Sequence, residues 1–137
     1  MESMEAFWWP VRVYYEDTDA GGVVYYANYL RFMERARTEL LRASGAEHET
    51  LREQDGVLFV VKHVDIDYRS PGRLDDELRV SAEVVAWGRT SITFRQQVMR
   101  GDTCLAEARI VVVCLDIARF RPHPIPPSIH EAFQRVS

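Results

Sequence analysis

The 137-residue sequence has only two cysteines, and neither lies in a pattern that binds metal. Cys104 and Cys114 fall in one predicted strand. At roughly 3.3 Å per residue their Cα atoms lie about 33 Å apart, which excludes a disulfide between them. Neither cysteine belongs to a CxxC or Cys/His spacing, so we expect no metal site. Unpaired cysteines are typical of a reducing compartment, and we expect a cytoplasmic protein.

The sequence also lacks a long apolar run and an excess of positive charge. No stretch approaches the ~20 apolar residues of a spanning helix, so we expect no membrane insertion. Residues 1–10 lack the basic and apolar regions of a signal peptide. The net charge of −4 repels nucleic acid, which we therefore exclude as a partner. The composition, 47% hydrophobic and 28% charged, and the length together predict one globular domain over residues 1–137.

Hydrophobic periodicity predicts one strand, one long helix and then four further strands. The helix is predicted over residues 26–43, where Tyr29, Met33, Ala36 and Leu40 form one apolar stripe. Weaker patterns favour short helices at 47–54 and 128–135, the second within a C-terminal tail over 118–137. Alternating apolar residues, bounded by glycine and proline, predict strands at 7–15, 57–69, Glu77–Trp87, Ser91–Arg100 and 104–116.

This order of elements predicts an α+β fold in which a five-stranded antiparallel sheet curls around one long central helix. The all-apolar run at 110–115 predicts a central strand that is covered on both faces. A single helix cannot cover both faces of such a sheet, and the sheet has open edges. We therefore expect association with a second copy of the chain.

The densest chemical signal is the turn EDTDAGG, residues 16–22, directly before the long helix. A helix start presents unpaired N–H groups and a partial positive charge, which can stabilise the oxyanion of acyl transfer. A neighbouring carboxylate can attack the carbonyl or activate water. The same residues are also typical of an ordinary turn and helix cap. The pattern alone leaves catalysis and a structural turn as alternatives.

The segment VRVYYEDTDAGGVVYYANYLRFMERARTELLR resembles the 4-hydroxybenzoyl-CoA thioesterase group of the hotdog superfamily. It is most similar to the YbgC-type acyl-CoA thioesterases associated with the Tol-Pal system. The likeness continues through FVVKHVDIDYRSPGRLDDELRV, WGRTSITF and EARIVVVCLD, and so covers nearly the whole chain. It implies a hotdog fold and hydrolysis of acyl-CoA or acyl-carrier-protein thioesters. It implies no cofactor, since coenzyme A is part of the substrate.

The resemblance also implies roles for particular residues. The catalytic carboxylate of the family is the second aspartate of its D-x-D-x-x-G motif, here Asp19, and the oxyanion donor is the backbone N–H of Tyr26. At the position of Tyr26, YbgC-type proteins commonly have histidine, whereas the 4-hydroxybenzoyl-CoA branch has tyrosine. The family places its active site at a dimer interface, and dimers often pair into tetramers, so we expect a homodimer or homotetramer. Asp17 is expected to brace the turn.

Further residues of the turn, of one strand and of the 88–91 connection are expected to contact the substrate. Arginine suits the phosphates of coenzyme A because its planar fork donates two parallel hydrogen bonds. Basic candidates for these phosphates are Lys62, Arg69, Arg73 and Arg89. The predicted substrate-binding residues are Gly22, Val23, Tyr25, Lys62, His63, Arg89, Thr90 and Ser91.

Two other functions stay open at this stage. The first is a non-catalytic hotdog scaffold that holds an acyl carrier protein. The second is a dehydratase acting on hydroxyacyl thioesters, although that chemistry generally uses a histidine, which the turn does not offer. Formation of an enoyl thioester distinguishes the dehydratase from a hydrolase.

Overall fold

The structure, a computed structural model, describes residues 6–135, and five long strands with one long helix dominate it. The helices are α1 (Asn28–Ala43), α2 (His48–Thr50) and α3 (Pro127–Arg135), with a 3-10 turn at Tyr15–Asp17 and a π-helical turn at Leu51–Asp55. The strands are β1 (Phe7–Arg12), β2 (Val57–Tyr68), β3 (Glu77–Trp87), β4 (Ser91–Arg100), β5 (Thr103–Asp116) and β6 (Arg121–Pro122).

The strands form one antiparallel sheet in the order β1-β3-β4-β5-β2, and the short β6 pairs with the end of β5. The predicted antiparallel sheet around one helix is confirmed, with β3 and β4 at their predicted bounds. The first strand was predicted too long. It ends at Arg12 because the chain turns at Tyr14, whose carbonyl accepts the Asp17 N–H at 2.9 Å.

The core lies between α1 and the concave face of the sheet. The predicted stripe of α1 is buried: Met33 and Ala36 have no exposed surface, and Tyr29 and Leu40 have almost none. α1 packs chiefly on β1 and β3, and less on β4. Burying a large apolar side chain contributes roughly 1.5–3 kcal/mol, so this stripe fixes the helix on the sheet. The start of α1 is thereby held beside the loop that follows β1.

Both cysteines are free thiols, as expected. Cys114 is buried in β5, and burial raises the pKa of its thiol to about 11. A thiol with so high a pKa is almost entirely protonated at neutral pH and is a poor nucleophile. Cys114 therefore contributes packing rather than chemistry.

Candidate active site

The loop between β1 and α1 folds into a small hairpin that positions the candidate catalytic residues. Thr18 and Val24 are bridged as antiparallel partners. On either side, the Asp19 N–H donates to the Val23 carbonyl and the Tyr25 N–H to the Asp17 carbonyl, both at 2.9 Å. Residues 17–19 thus run alongside residues 23–25, and the chain enters α1 directly afterwards.

The tip of this hairpin requires glycine at one position. Gly22 has φ +80°, in the left-handed region that side chains other than glycine rarely adopt. Its N–H donates to the Asp19 carbonyl at 3.1 Å, which closes the tip. The paired glycines of the motif therefore shape the backbone around Asp19.

Asp17 is the structural carboxylate of the motif. It is buried, with 3% of its surface exposed, and both of its oxygens accept hydrogen bonds. Oδ2 accepts the Tyr14 N–H at 2.8 Å, and Oδ1 accepts the side-chain amide of Asn28 at 2.9 Å. The prediction that Asp17 braces the turn is confirmed. Its partner Asn28, the first residue of α1, was missed, because an asparagine before an apolar stripe resembles an ordinary helix cap.

The Asp17–Asn28 hydrogen bond gives a testable stability prediction. Asn28→Ala leaves one oxygen of a buried carboxylate without its partner, and we expect a loss of about 1–3 kcal/mol in the free energy of unfolding. Chemical denaturation followed by circular dichroism measures this loss. The control is Thr18→Ala, which removes a more exposed hydrogen bond to the Tyr15 carbonyl and is expected to cost about 0.5–1 kcal/mol. Equal losses in the two variants would contradict the bracing role.

Asp19 differs from Asp17 in being exposed to solvent. Its Oδ1 accepts the Gly21 N–H at 2.8 Å, which is the side-chain turn that asparagine and aspartate commonly make. Over residues 6–135, no donor bonds to Oδ2. The structural and the catalytic interpretations are therefore compatible, because one oxygen orients the carboxylate and the other faces outward.

Tyr26 places an open backbone amide at the start of α1. Among the described residues, its N–H has no hydrogen-bond acceptor. The amide of Asn28, in contrast, already donates to the Tyr25 carbonyl at 2.8 Å. The Tyr26 N–H therefore carries part of the positive end of the helix dipole and is free to bind an oxyanion. Its ring lies on the surface, 4.9 Å from that of Tyr25 between centroids.

A cleft of about 280 Å³ opens beside Tyr26, between the start of α1 and the end of β2. The Tyr29 hydroxyl accepts the Gly72 N–H at 2.8 Å, and burial raises the pKa of this phenol, which keeps it neutral. Gly72 is needed for close approach, since a Cβ there would lie 3.0 Å from a methyl carbon of Val24. The cleft is lined by Val24, Tyr26, Tyr29, Tyr68, Arg69, Ser70 and Pro71.

The structure places the predicted site residues in three regions of one chain. Gly22, Val23 and Tyr25 lie on the hairpin with Asp19, which itself is outside the lining of the cleft. Lys62 and His63 are exposed near the middle of β2, at the outer edge of the sheet and beside a bulge between Val61 and His63.

The third region, residues 89–91, lies at the far end of the sheet. β3 begins beside the hairpin and runs to Trp87, and a strand of this length spans about 30 Å. The backbone carbonyls there are already used: that of Thr90 accepts the Cys114 N–H at 2.8 Å, and that of Arg89 accepts the Ile125 N–H at 3.0 Å. The carbonyls of Arg89 and Thr90 are therefore not free to accept hydrogen bonds from a ligand.

Within residues 6–135, no group of three or more histidine, cysteine, aspartate or glutamate side chains could hold a metal ion. In the same part of the chain, no helix has the length and apolar character needed to cross a membrane.

The curled antiparallel sheet, the long helix packed in its concave face and the hairpin before that helix define a hotdog-fold protein. Residues 13–133 match the family model of the thioesterase-like superfamily, and the chain belongs to that superfamily. The family resemblance noted in the sequence is thus confirmed.

Individual relatives extend the match over most of the chain. The sequence is 45% identical over 130 residues to the acyl-CoA thioester hydrolase YbgC of Escherichia coli O6:H1, covering 94% of this chain and 96% of that protein. It is 46% identical over 130 residues to the acyl-CoA thioesterase YbgC of Haemophilus influenzae, covering 95% and 96%. A crystal structure of a probable thioesterase from Bartonella henselae has a TM-score of 0.85 at 30% identity, covering 89% of this chain and 100% of that one.

Proposed function

We propose that this chain hydrolyses acyl-CoA thioesters and that Asp19 and the Tyr26 N–H form its catalytic pair. The observation that carries the proposal is the unoccupied amide at the start of α1, next to a hairpin that presents an outward carboxylate oxygen. The two YbgC relatives support the reaction class, and nothing in their names favours a non-catalytic scaffold.

In the proposed reaction, the thioester carbonyl oxygen binds at the Tyr26 N–H. As the carbonyl carbon becomes tetrahedral, its oxygen gains negative charge, which the amide and the helix dipole stabilise. Asp19 either removes a proton from the attacking water or attacks the carbon itself to form an anhydride that water then hydrolyses. The C–S bond breaks, the thiolate leaves and takes up a proton, and the products are a free acid and a thiol.

We further propose that the complete site needs a second copy of the chain. Asp19 lies outside the cleft of its own chain, and Lys62 and His63 lie on the unpaired outer edge of β2. Antiparallel pairing of two β2 edges would extend the sheet and bring the edge residues of one copy toward the α1 start of the other. Free thiols are in keeping with a reducing cytoplasm as the location.

The oligomer proposal predicts the effect of an edge substitution. Val61 is 47% exposed near the middle of β2, where a second copy would cover it. Val61→Asp buries a charge in that interface, and we expect the dissociation constant of the dimer to rise at least about tenfold. Sedimentation equilibrium measures this. The control is Val85→Asp, at another exposed valine on β3, an inner strand of the sheet. A monomeric wild-type protein would contradict the proposal.

The hydrolase proposal is tested by measuring thiol release from a panel of acyl-CoA thioesters with a chromogenic thiol reagent. We expect release that is proportional to enzyme concentration for at least one acyl group, with the free acid as co-product. The absence of thiol release across aliphatic and aromatic thioesters would overturn it. Formation of an enoyl thioester instead would identify a dehydratase, and transfer assays with acyl carrier protein as donor would define the carrier.

A further inference from the structure

A groove runs between α1 and β2 on the concave side of the sheet. It exists because α1 packs chiefly on β1 and β3, whereas β2 lies at the opposite edge of the sheet. A cavity of about 230 Å³ forms its middle, where the apolar lining residues are Leu30, Val61, Val64 and Ile110. We call this feature the α1–β2 groove. At its far end it reaches a small cavity of about 50 Å³ that is lined by Phe59 and Phe94.

The middle of this groove is also lined by charged side chains, namely Arg31, Glu34 and Arg37. Of these, Arg37 also borders the far cavity and is half-buried. Its Nη1 donates to the Oε1 of Gln96 at 2.8 Å. Gln96 is itself fully buried, and its amide nitrogen donates to the carbonyls of Met33 and Ser81, both at 2.9 Å. The guanidinium is therefore held in place by a side chain that has no freedom to move.

The guanidinium of Arg37 is hydrogen-bonded to an amide rather than to a carboxylate. Over residues 6–135, no carboxylate forms an ion pair with it, and Gln96 is its one hydrogen-bond partner. Glu34 lies one helical turn away, is exposed to solvent and lines the same cavity, so its charge acts on Arg37 without a direct bond. In the described part of the chain, no fully buried side-chain nitrogen lacks a partner. The remaining N–H groups of Arg37 therefore face the open groove.

A partly buried cation without a directly bonded counter-charge is costly, and a carboxylate is the group that complements it best. Burial lowers the pKa of Arg37 to about 10, while the charge of Glu34 acts in the opposite direction. The side chain thus stays positively charged at neutral pH. Its planar fork can donate two parallel hydrogen bonds to one carboxylate.

The cleft at Tyr26 and the middle of the groove follow one another along α1 and β2: Tyr29 and Tyr68 line the cleft, and Leu30 and Val64 line the groove. From Asn28 to Arg37 the helix rises about 14 Å, at roughly 1.5 Å per residue. An extended carbon chain with bonds of about 1.5 Å at about 111° advances about 1.25 Å per carbon, so about ten to twelve carbons span this distance.

We propose that the α1–β2 groove binds acyl chains that end in a second carboxylate and that Arg37 binds this carboxylate. The substrate class is then a medium-chain dicarboxylic acid held as its mono-thioester. The apolar groove walls receive the methylene chain, the thioester lies at Tyr26, and the distal carboxylate displaces water from the guanidinium. This inference rests on the proposed hydrolase function and specifies its substrate.

The experiment compares three thioesters with the same main-chain length: dodecanedioyl-CoA, its distal methyl ester and dodecanoyl-CoA. For the wild-type protein we expect kcat/KM to be at least about tenfold higher for dodecanedioyl-CoA than for the other two, because only it has the second charge. Arg37→Met is expected to lower kcat/KM for dodecanedioyl-CoA about 10- to 100-fold and that for dodecanoyl-CoA much less, so that the preference for the diacid is lost. Glu34→Gln is expected to raise kcat/KM for dodecanedioyl-CoA about two- to fivefold.

The outcomes separate this inference from the hydrolase proposal. Equal kcat/KM values for the diacid, ester and monoacid thioesters overturn the inference and leave the hydrolase intact. A parallel loss for both dodecanedioyl-CoA and dodecanoyl-CoA in Arg37→Met, together with dissociation into monomers, would assign Arg37 to the subunit interface and also overturn it. If the wild-type protein hydrolyses no thioester, titration calorimetry with free dodecanedioate and free dodecanoate measures their binding directly. Binding of the diacid alone supports the inference, and equal or absent binding overturns it.

Discussion

Asp19→Ala is expected to reduce thiol release from acyl-CoA about 10²–10⁴-fold while the protein still folds. The reduction follows from the loss of the outward carboxylate oxygen, which is the group placed to activate water or attack the thioester. Because Asp19 is exposed and, among the described residues, its side chain bonds only to Gly21, its removal is expected to change the free energy of unfolding little. Steady-state kinetics and thermal denaturation on the same preparation measure both quantities.

Two companion variants sharpen the test of Asp19. Asp19→Asn preserves the shape of the turn but cannot ionise, and it is expected to lose most of the activity as well. Asp102→Ala removes an exposed aspartate from the β4–β5 turn, distant in sequence from the hairpin, and is expected to keep full activity. Thiol release by folded Asp19→Ala at near the wild-type rate would show that this carboxylate is not the reacting group.

Replacement of the Tyr26 amide by an ester is expected to lower kcat about 10²–10³-fold, since it deletes a single N–H at the proposed oxyanion position. The change alters one backbone atom and can be introduced by protein semisynthesis. The amide has no acceptor within residues 6–135, so the replacement removes no N–H that is already bonded, although it weakens the Tyr25 carbonyl that accepts the Asn28 N–H at 2.8 Å. A large fall in kcat with only a small fall in stability is therefore the expected signature.

The side chain of Tyr26 provides the control for the ester. Tyr26→Phe keeps the backbone N–H and the ring, and we expect kcat to change by less than about threefold because its role is assigned to the backbone. A large loss in Tyr26→Phe combined with a silent ester would reverse the assignment and make the phenol the important group. Separate measurement of kcat and KM distinguishes a transition-state effect from weaker substrate binding.

The periodicity of the sequence predicted the elements that the hydrophobic effect controls. The apolar stripe of α1 and the alternation of β3 and β4 are local patterns, and burial enforces them. β6 was missed because it has two residues in a proline-rich stretch, where it is held only by pairing with β5. The helix begins at Asn28 rather than at 26, because Asn28 bonds to Asp17 across the hairpin.

The candidate site was less predictable because its parts meet only through tertiary structure. Asp17 and Asp19 look alike in sequence, and only folding separates a buried carboxylate from an exposed one. The positions of Lys62 and Arg89 depend on strand order, which periodicity does not specify. Gln96 occupies an inward position between Phe94 and Val98. A polar residue at that position did not reveal from the sequence that its side chain bonds to Arg37.

The burial of Asp17 has a practical consequence for mutational screens. A screen that scores lost turnover would rank substitutions at Asp17 and at Asp19 together, although one position maintains the architecture and the other takes part in the reaction. Assaying the same library at low temperature separates them. Variants of Asp17 are expected to regain function at low temperature, where the fold is more stable. Variants of Asp19 are expected to stay inactive at every temperature.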